Sequence, residues 1–177
     1  MSFSSVRGTS LEIIPTHISS DLILDEETTK TVVSSYLALK GETRQKVQVA
    51  IQRLGQGLMR RRIGDKAVEL SIALETLLGD GGNNEMTHKI KTRCARFLGG
   101  SNDERRVIHD LVSKTYDIRS KLIHNGQDVS KSQQIAGAKV SPQSVIDQTA
   151  KVCADVIKKV LELGEIPDWT VFDIKCA

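Results

Sequence analysis

Asp65-Lys66-Ala67-Val68-Glu69-Leu70-Ser71-Ile72-Ala73-Leu74-Glu75-Thr76-Leu77-Leu78-Gly79 is the stretch whose reading settles the fold class. An aspartate able to cap a first turn opens it, and a glycine closes it. Between the two, apolar residues fall at nearly every angle of a 3.6-residue period, so the segment reads as a helix buried on almost all sides. Such a helix should be the central element of the molecule. Glu75 interrupts the apolar run. A carboxylate at that position either meets a partner, an arginine from a neighbouring helix being one candidate, or lies at an exposed edge.

Composition agrees with a helical core. The chain has 177 residues, of which 39% are hydrophobic and only 3% aromatic, so the core must be aliphatic. With three prolines, that favours helices over a β-sandwich. The length suits one domain with a real core. The net charge of +3 is mildly basic and does not compel non-specific binding to nucleic acid, although a local basic face remains open. Cys94, Cys153 and Cys176 are odd in number and widely spaced, which suits a reducing compartment. The opening residues lack the apolar core of a signal peptide, and no apolar run approaches a membrane span. The expectation is a cytoplasmic protein that does not engage a membrane.

Outward from the central stretch the same period recurs. Residues 1–26 read as a short extended N-terminal arm, or the remnant of a preceding region, and residues 27–177 as one helical domain. Val32, Val33, Tyr36 and Leu37 fit a short helix ended by Gly41. Val47, Ala50, Ile51, Leu54 and Leu58 share one face of a longer helix that Thr43 can cap. It runs out in Arg60-Arg61-Arg62, which is either a solvated helix end or a phosphate-contacting patch. After the GDGGNN loop, Asn84 can cap a helix with Met86, Ile90, Cys94, Phe97 and Leu98 inward and Lys89, Lys91, Arg93 and Arg96 elsewhere. Ser101 and Glu104 form a capping box for the next helix, whose stripe is Val107, Ile108, Leu111, Val112, Thr115, Ile118 and Leu122. Residues 126–141 show no periodicity and read as a mobile loop. Pro142 starts a last helix with Val145, Ile146, Thr149, Val152, Cys153, Val156, Val160 and Leu161 inward, stopped by Gly164. The tail, with the only tryptophan, Trp169, should fold back over an open end of the bundle. The whole is an all-α, up-down bundle of five to six helices.

Most chemistry-bearing residues fall into no pattern. His17, His88, His109 and His124 stand at no metal-ligand spacing with each other or with the cysteines, so neither metal nor cofactor is expected. No glycine-rich phosphate loop joins a strand to a helix. His88 and His109 read as helix-surface residues. One segment differs: Tyr116-Asp117-Ile118-Arg119-Ser120-Lys121-Leu122-Ile123-His124-Asn125-Gly126. Arginine offers a planar fork of donors to phosphate, and histidine is the side chain that can take and give a proton near neutrality. Five positions apart on a helix, Arg119 and His124 point about 140° away from each other. They converge on one phosphate only if the helix ends or bends between them, or if two copies of the chain pool their segments. The plain alternative is that both merely complement the helix C-terminus.

A helical bundle, a buried helix reading IALETLLG and a later helix ending YDIRSKLIHNG together resemble the HEPN superfamily, and most closely its Apea-like branch. The superfamily's mark is R-x(4–6)-H near the end of a helix, matched here by Arg119 and His124. The likeness covers residues 45–163, and PDW in the tail is similar to the C-terminal end of that branch. Ser120 stands where many members carry Asn, Asp or His. The resemblance implies a metal-independent endoribonuclease, acting on single-stranded RNA as a homodimer with two motifs facing each other. It implies Arg119 and His124 as catalytic, Ser120, Glu75 and Tyr116 as supporting, and Lys114 and Lys121 as RNA-binding residues along a shared cleft. A non-catalytic dimerisation or RNA-binding module of a larger protein is the alternative.

Overall fold

Helical periodicity this persistent leaves one way to bury the aliphatic side chains, which is to lay helices against helices. A computed structural model describes residues 25–81 and 85–175. The expected N-terminal arm up to residue 24, His17, the Asn84 cap and Cys176 lie outside the described residues. The elements run α1 (Glu26–Ala38), α2 (Gly41–Met59), α3 (Ile63–Leu78), α4 (Met86–Leu98), α5 (Asn102–Asn125), β1 (Gln133–Ile135), β2 (Ala138–Val140), α6 (Pro142–Leu163) and α7 (Trp169–Ile174). The fold is mostly helical. None of the described helices is long and apolar enough to cross a membrane.

α3 is the axis of the assembly. It packs against α2, α4, α5 and α6 and buries Ala67, Leu70, Ala73, Leu74, Leu77 and Leu78. Two helices around it start at side-chain caps: Ser101 accepts from Glu104 N while the Glu104 carboxylate accepts from Ser101 N at 2.7 Å, and Ser141 accepts from Ser144 N ahead of Pro142. α5 and α6 are joined in the core by the hydroxyls of Thr115 and Thr149, 2.8 Å apart, whose two protons are shared among that contact and a carbonyl one turn back in each helix. Every inward position expected for α6 is buried. The tail does return to the bundle, as α7. Trp169 is buried, donates from Nε1 to Leu77 O at 3.0 Å, and meets Phe97 and Phe172 edge-on.

Several expectations need correction. The described residues form seven helices, not five or six, because the tail holds a helix of its own. The stretch read as a mobile loop contains an antiparallel hairpin, β1 with β2, turning at Ala136 and Gly137. Ile135 and Val129 are buried beneath it, and Ala136 N donates to Asp110 on α5 at 3.0 Å. Thr43 does not cap α2, which begins two residues earlier at Gly41, and Asp65 lies in the first turn of α3 instead of capping it. Ile51 and Leu58 on α2, like Val32, Val33 and Leu37 on α1, are exposed. The inner face of α2 is made instead by Val47, Ala50 and Gly57, the last of these packed against Glu69 and Leu70 of α3.

Arg93 is the largest departure. Expected off the inner face, it is 1% exposed. Its Nη1 donates to Leu78 O at 2.7 Å, its Nη2 to Asp80 at 2.7 Å and to Asp173 at 2.6 Å, and its Nε to both oxygens of Asp173. A buried guanidinium is tolerable because every nitrogen has an acceptor and two carboxylates balance the charge. Burial alone would lower the Arg93 pKa, and the bonds from Asp173 and Asp80 outweigh it and raise it. The cluster clamps α7 and the exit of α3 onto α4.

Candidate active site

α5 continues without a break to Asn125 and stops at Gly126, whose left-handed backbone (φ 65°) ends it. Arg119 and His124 therefore belong to one unbroken helix. They are set about 140° apart and about 7.5 Å along its axis by helical geometry alone. The break that would let one chain aim both at a single phosphate does not occur between them.

Both nonetheless line one open cleft of about 610 Å³, together with Glu75 from α3, Met86 and Thr87 from α4, and Tyr116, Asp117, Ser120 and Ile123 from α5. The Glu75 carboxylate, set in the otherwise apolar α3, is answered from α5. Arg119 Nη1 forms an ion pair with Glu75 Oε1, and Tyr116 donates its hydroxyl to the same oxygen at 3.0 Å. The guanidinium also lies 5.6 Å from the centre of the Tyr116 ring, a cation–π distance. Burial, then the nearby Glu75 carboxylate, pushes the Tyr116 phenol well above its ordinary pKa. Tyr116 thus remains a proton-bearing donor and holds Glu75 in place.

The arginine is fixed but not used up. Among the described residues only its Nη1 has an acceptor, while Nε and Nη2 make no bond, and the side chain is 26% exposed. Ser120 and His124 are exposed, and the His124 side chain makes no hydrogen bond or ion pair among the described residues. It sits in the last turn of α5, where a cation is favoured by the helix dipole. Across the cleft, α4 begins at Met86 with Glu85 giving no side-chain cap, so the positive end of that helix is turned to the same space.

Lys114 and Lys121 are not part of the cleft lining. Lys114 is paired instead with Asp117 at 3.0 Å, which tempers that carboxylate as Arg119 tempers Glu75, the other carboxylate of the cleft. Met86, Thr87, Asp117 and Ile123 are lining residues that the sequence reading does not include. Asp117 and Ile123 could have been found from their phase on α5, but nothing local in the sequence brings Thr87 to this place. His88 is exposed and His109 half-buried, its Nδ1 3.4 Å from Asp110. Among the described residues no group of three His, Cys, Asp or Glu side chains is disposed to hold a metal ion.

No family model, no curated protein and no solved structure matches this chain.

Proposed function

We propose that this chain is an endoribonuclease of the HEPN superfamily, in its Apea-like branch, which cleaves single-stranded RNA without a metal and as a homodimer. The observation that carries the reading is the state of Arg119. Glu75 and Tyr116 hold it through one nitrogen, the other two have no acceptor among the described residues, and it lines an open cleft together with His124. That is the arrangement a phosphodiester needs, since an arginine prepositioned before the substrate arrives costs no reorganisation during the reaction.

In the reaction, a neutral His124 takes the proton of a ribose 2′-OH. The freed oxygen attacks the adjacent phosphorus, the bond from phosphorus to the 5′-oxygen breaks, and that oxygen takes a proton from a protonated histidine. The products are a 2′,3′-cyclic phosphate and a 5′-hydroxyl. Arg119 holds the phosphate and the charge that builds on it. Because one continuous helix sets Arg119 and His124 far apart in angle, a second copy supplies the complementary pair. Ile123, 58% exposed on the cleft wall, offers apolar surface for that approach. DNA lacks the attacking hydroxyl and should be left intact.

One observation favours a second reading. The Arg119–Glu75 ion pair links α3 to α5, so Arg119 could serve the fold in a non-catalytic RNA-binding or dimerisation module. Incubation with single-stranded RNA in EDTA, wild type beside His124→Ala, separates the two. Cutting by the wild type that is lost in the variant supports the nuclease. RNA left whole by a folded wild type favours the module. An RNA with a single 2′-deoxy position at the cut site tests the mechanism, and cutting there would overturn internal attack.

A further inference from the structure

The corner between α2 and α3 is locked against the end of α5. Arg62 donates from Nη2 to the carbonyl of Gly126 at 3.3 Å and from Nε to Asp128 at 3.2 Å. Asp128 also accepts from the backbone of Gly64, in the first turn of α3, at 2.7 Å. Gly64 packs so closely that a Cβ there would stand 2.9 Å from the Leu122 side chain. His124 precedes Gly126 by two residues, so the Arg60-Arg61-Arg62 triplet is carried at a fixed offset from it.

The three arginines are not equivalent. Arg60 is held by the buried carboxylate of Glu69 at 2.8 Å, and Arg62 by Asp128. Arg61 is exposed and makes no hydrogen bond or ion pair among the described residues. The fold makes no use of its charge. Two neighbours are neutralised by carboxylates, and the third is an exposed cation next in the chain to the arginine that touches the end of the helix bearing His124. Lys114, answered by Asp117, has no comparable freedom.

We infer that Arg61 is a contact for the RNA backbone, holding a phosphate a few nucleotides from the cut one as the strand passes the end of α5. This rests on the ribonuclease reading. Phosphate contacts of this kind set register and affinity and carry no base preference. They also release counterions, so each leaves a mark on the salt dependence of binding.

The test measures binding of an unstructured polyuridine oligonucleotide to the full chain carrying His124→Ala, which leaves the RNA whole, over a range of salt. Adding Arg61→Ala should weaken binding about fivefold at 0.1 M salt and flatten the slope of log affinity against log salt by about 0.7 for each chain. Arg61→Lys should restore both, since a point charge suffices for a solvated phosphate. With His124 present, Arg61→Ala should raise KM and leave kcat unchanged. Arg106→Ala removes an exposed charge about 27 Å back along α5 and should change neither affinity nor slope. Unchanged binding in Arg61→Ala overturns the contact while the nuclease reading stands. An equal loss in Arg106→Ala overturns it too, as bulk charge would then be the cause. A parent that binds no RNA at low salt overturns the nuclease reading and this contact with it.

Discussion

Two of the arginine–carboxylate clusters among the described residues have similar make-up and opposite condition. Around Arg93, five bonds from three nitrogens reach two aspartates and a carbonyl, and the side chain is 1% exposed. Around Arg119, one nitrogen meets Glu75, with Tyr116 supporting that carboxylate, and both partners keep about a quarter of their surface, 26% and 25%. Closing a cluster makes it a clamp, because every nitrogen already has an acceptor and the buried side chain is out of reach of anything that arrives later. Leaving one side open makes it a receptor, because the carboxylate below fixes the guanidinium and the other donors wait. Residue types alone do not distinguish the two; the distribution of acceptors does.

The contrast can be broken most decisively at Arg93. Arg93→Ala takes the arginine from Asp173, leaves Asp80 with Lys89, deprives the Leu78 carbonyl of its donor, and empties a buried site in the middle of α4; it should cost about 3 kcal/mol of unfolding free energy. Urea denaturation checks it, and a loss below about 1 kcal/mol would mean the cluster is not a clamp. Arg119→Ala should reverse the profile. Cleavage of single-stranded RNA should fall about 10²-fold, like that of His124→Ala, while stability drops by only about 1 kcal/mol. Arg119→Lys should recover part of the rate at most, since an ammonium lacks the planar fork. EDTA should leave the wild-type rate unchanged.

Gly64→Ala sharpens the comparison from a third side. Alanine normally stabilises a helix interior by about 1 kcal/mol over glycine. Here the added carbon would meet Asp128 at 2.8 Å and Leu122 at 2.9 Å, and overpacking of this kind costs about 1–3 kcal/mol. The expected net effect is a small loss of stability with a displaced end of α5, read as slower RNA cleavage with His124 chemically intact.

The smallest effect is expected at Glu69, which Arg53 and Arg60 hold at 3.0 and 2.8 Å. Burial raises its pKa, but the bonds from Arg60 and Arg53 outweigh burial and leave it below the ordinary value. A carboxylate with a lowered folded pKa stabilises above its ordinary pKa and loses that contribution as pH falls through the folded one. Thermal melts from pH 7 to pH 3 should show the wild type losing stability more steeply than Glu69→Gln.

What the sequence disclosed follows the range of the forces involved. The helices were legible because periodicity, capping boxes and terminal glycines act within a few residues, as at Ser101–Glu104 and Gly164. Glu75 was legible as a carboxylate in need of an answer, and Arg119 supplies one. Arg93 was not, because Asp80 and Asp173 lie 13 and 80 residues away and nothing nearby marks the position as enclosed. The hairpin was hidden for another reason. It turns at Ala136-Gly137, where alanine takes a left-handed φ of 47°, instead of at the Asn-Gly that usually announces such a turn. Thr87 reached the cleft through helix packing alone.

Trp169 has a practical consequence. It is the only tryptophan in the chain, and as the first residue of α7 it packs against Phe97 and Phe172, with the Arg93 guanidinium 5.7 Å from its ring. The intrinsic fluorescence of the protein is therefore a local gauge of one joint. Excited at the indole band, it reports whether the C-terminal helix is seated and is silent about the cleft, where the aromatic side chain is Tyr116. Stopped-flow emission can follow the undocking of α7 in its own time window, and the unfolding of the remaining helices can be timed separately by circular dichroism.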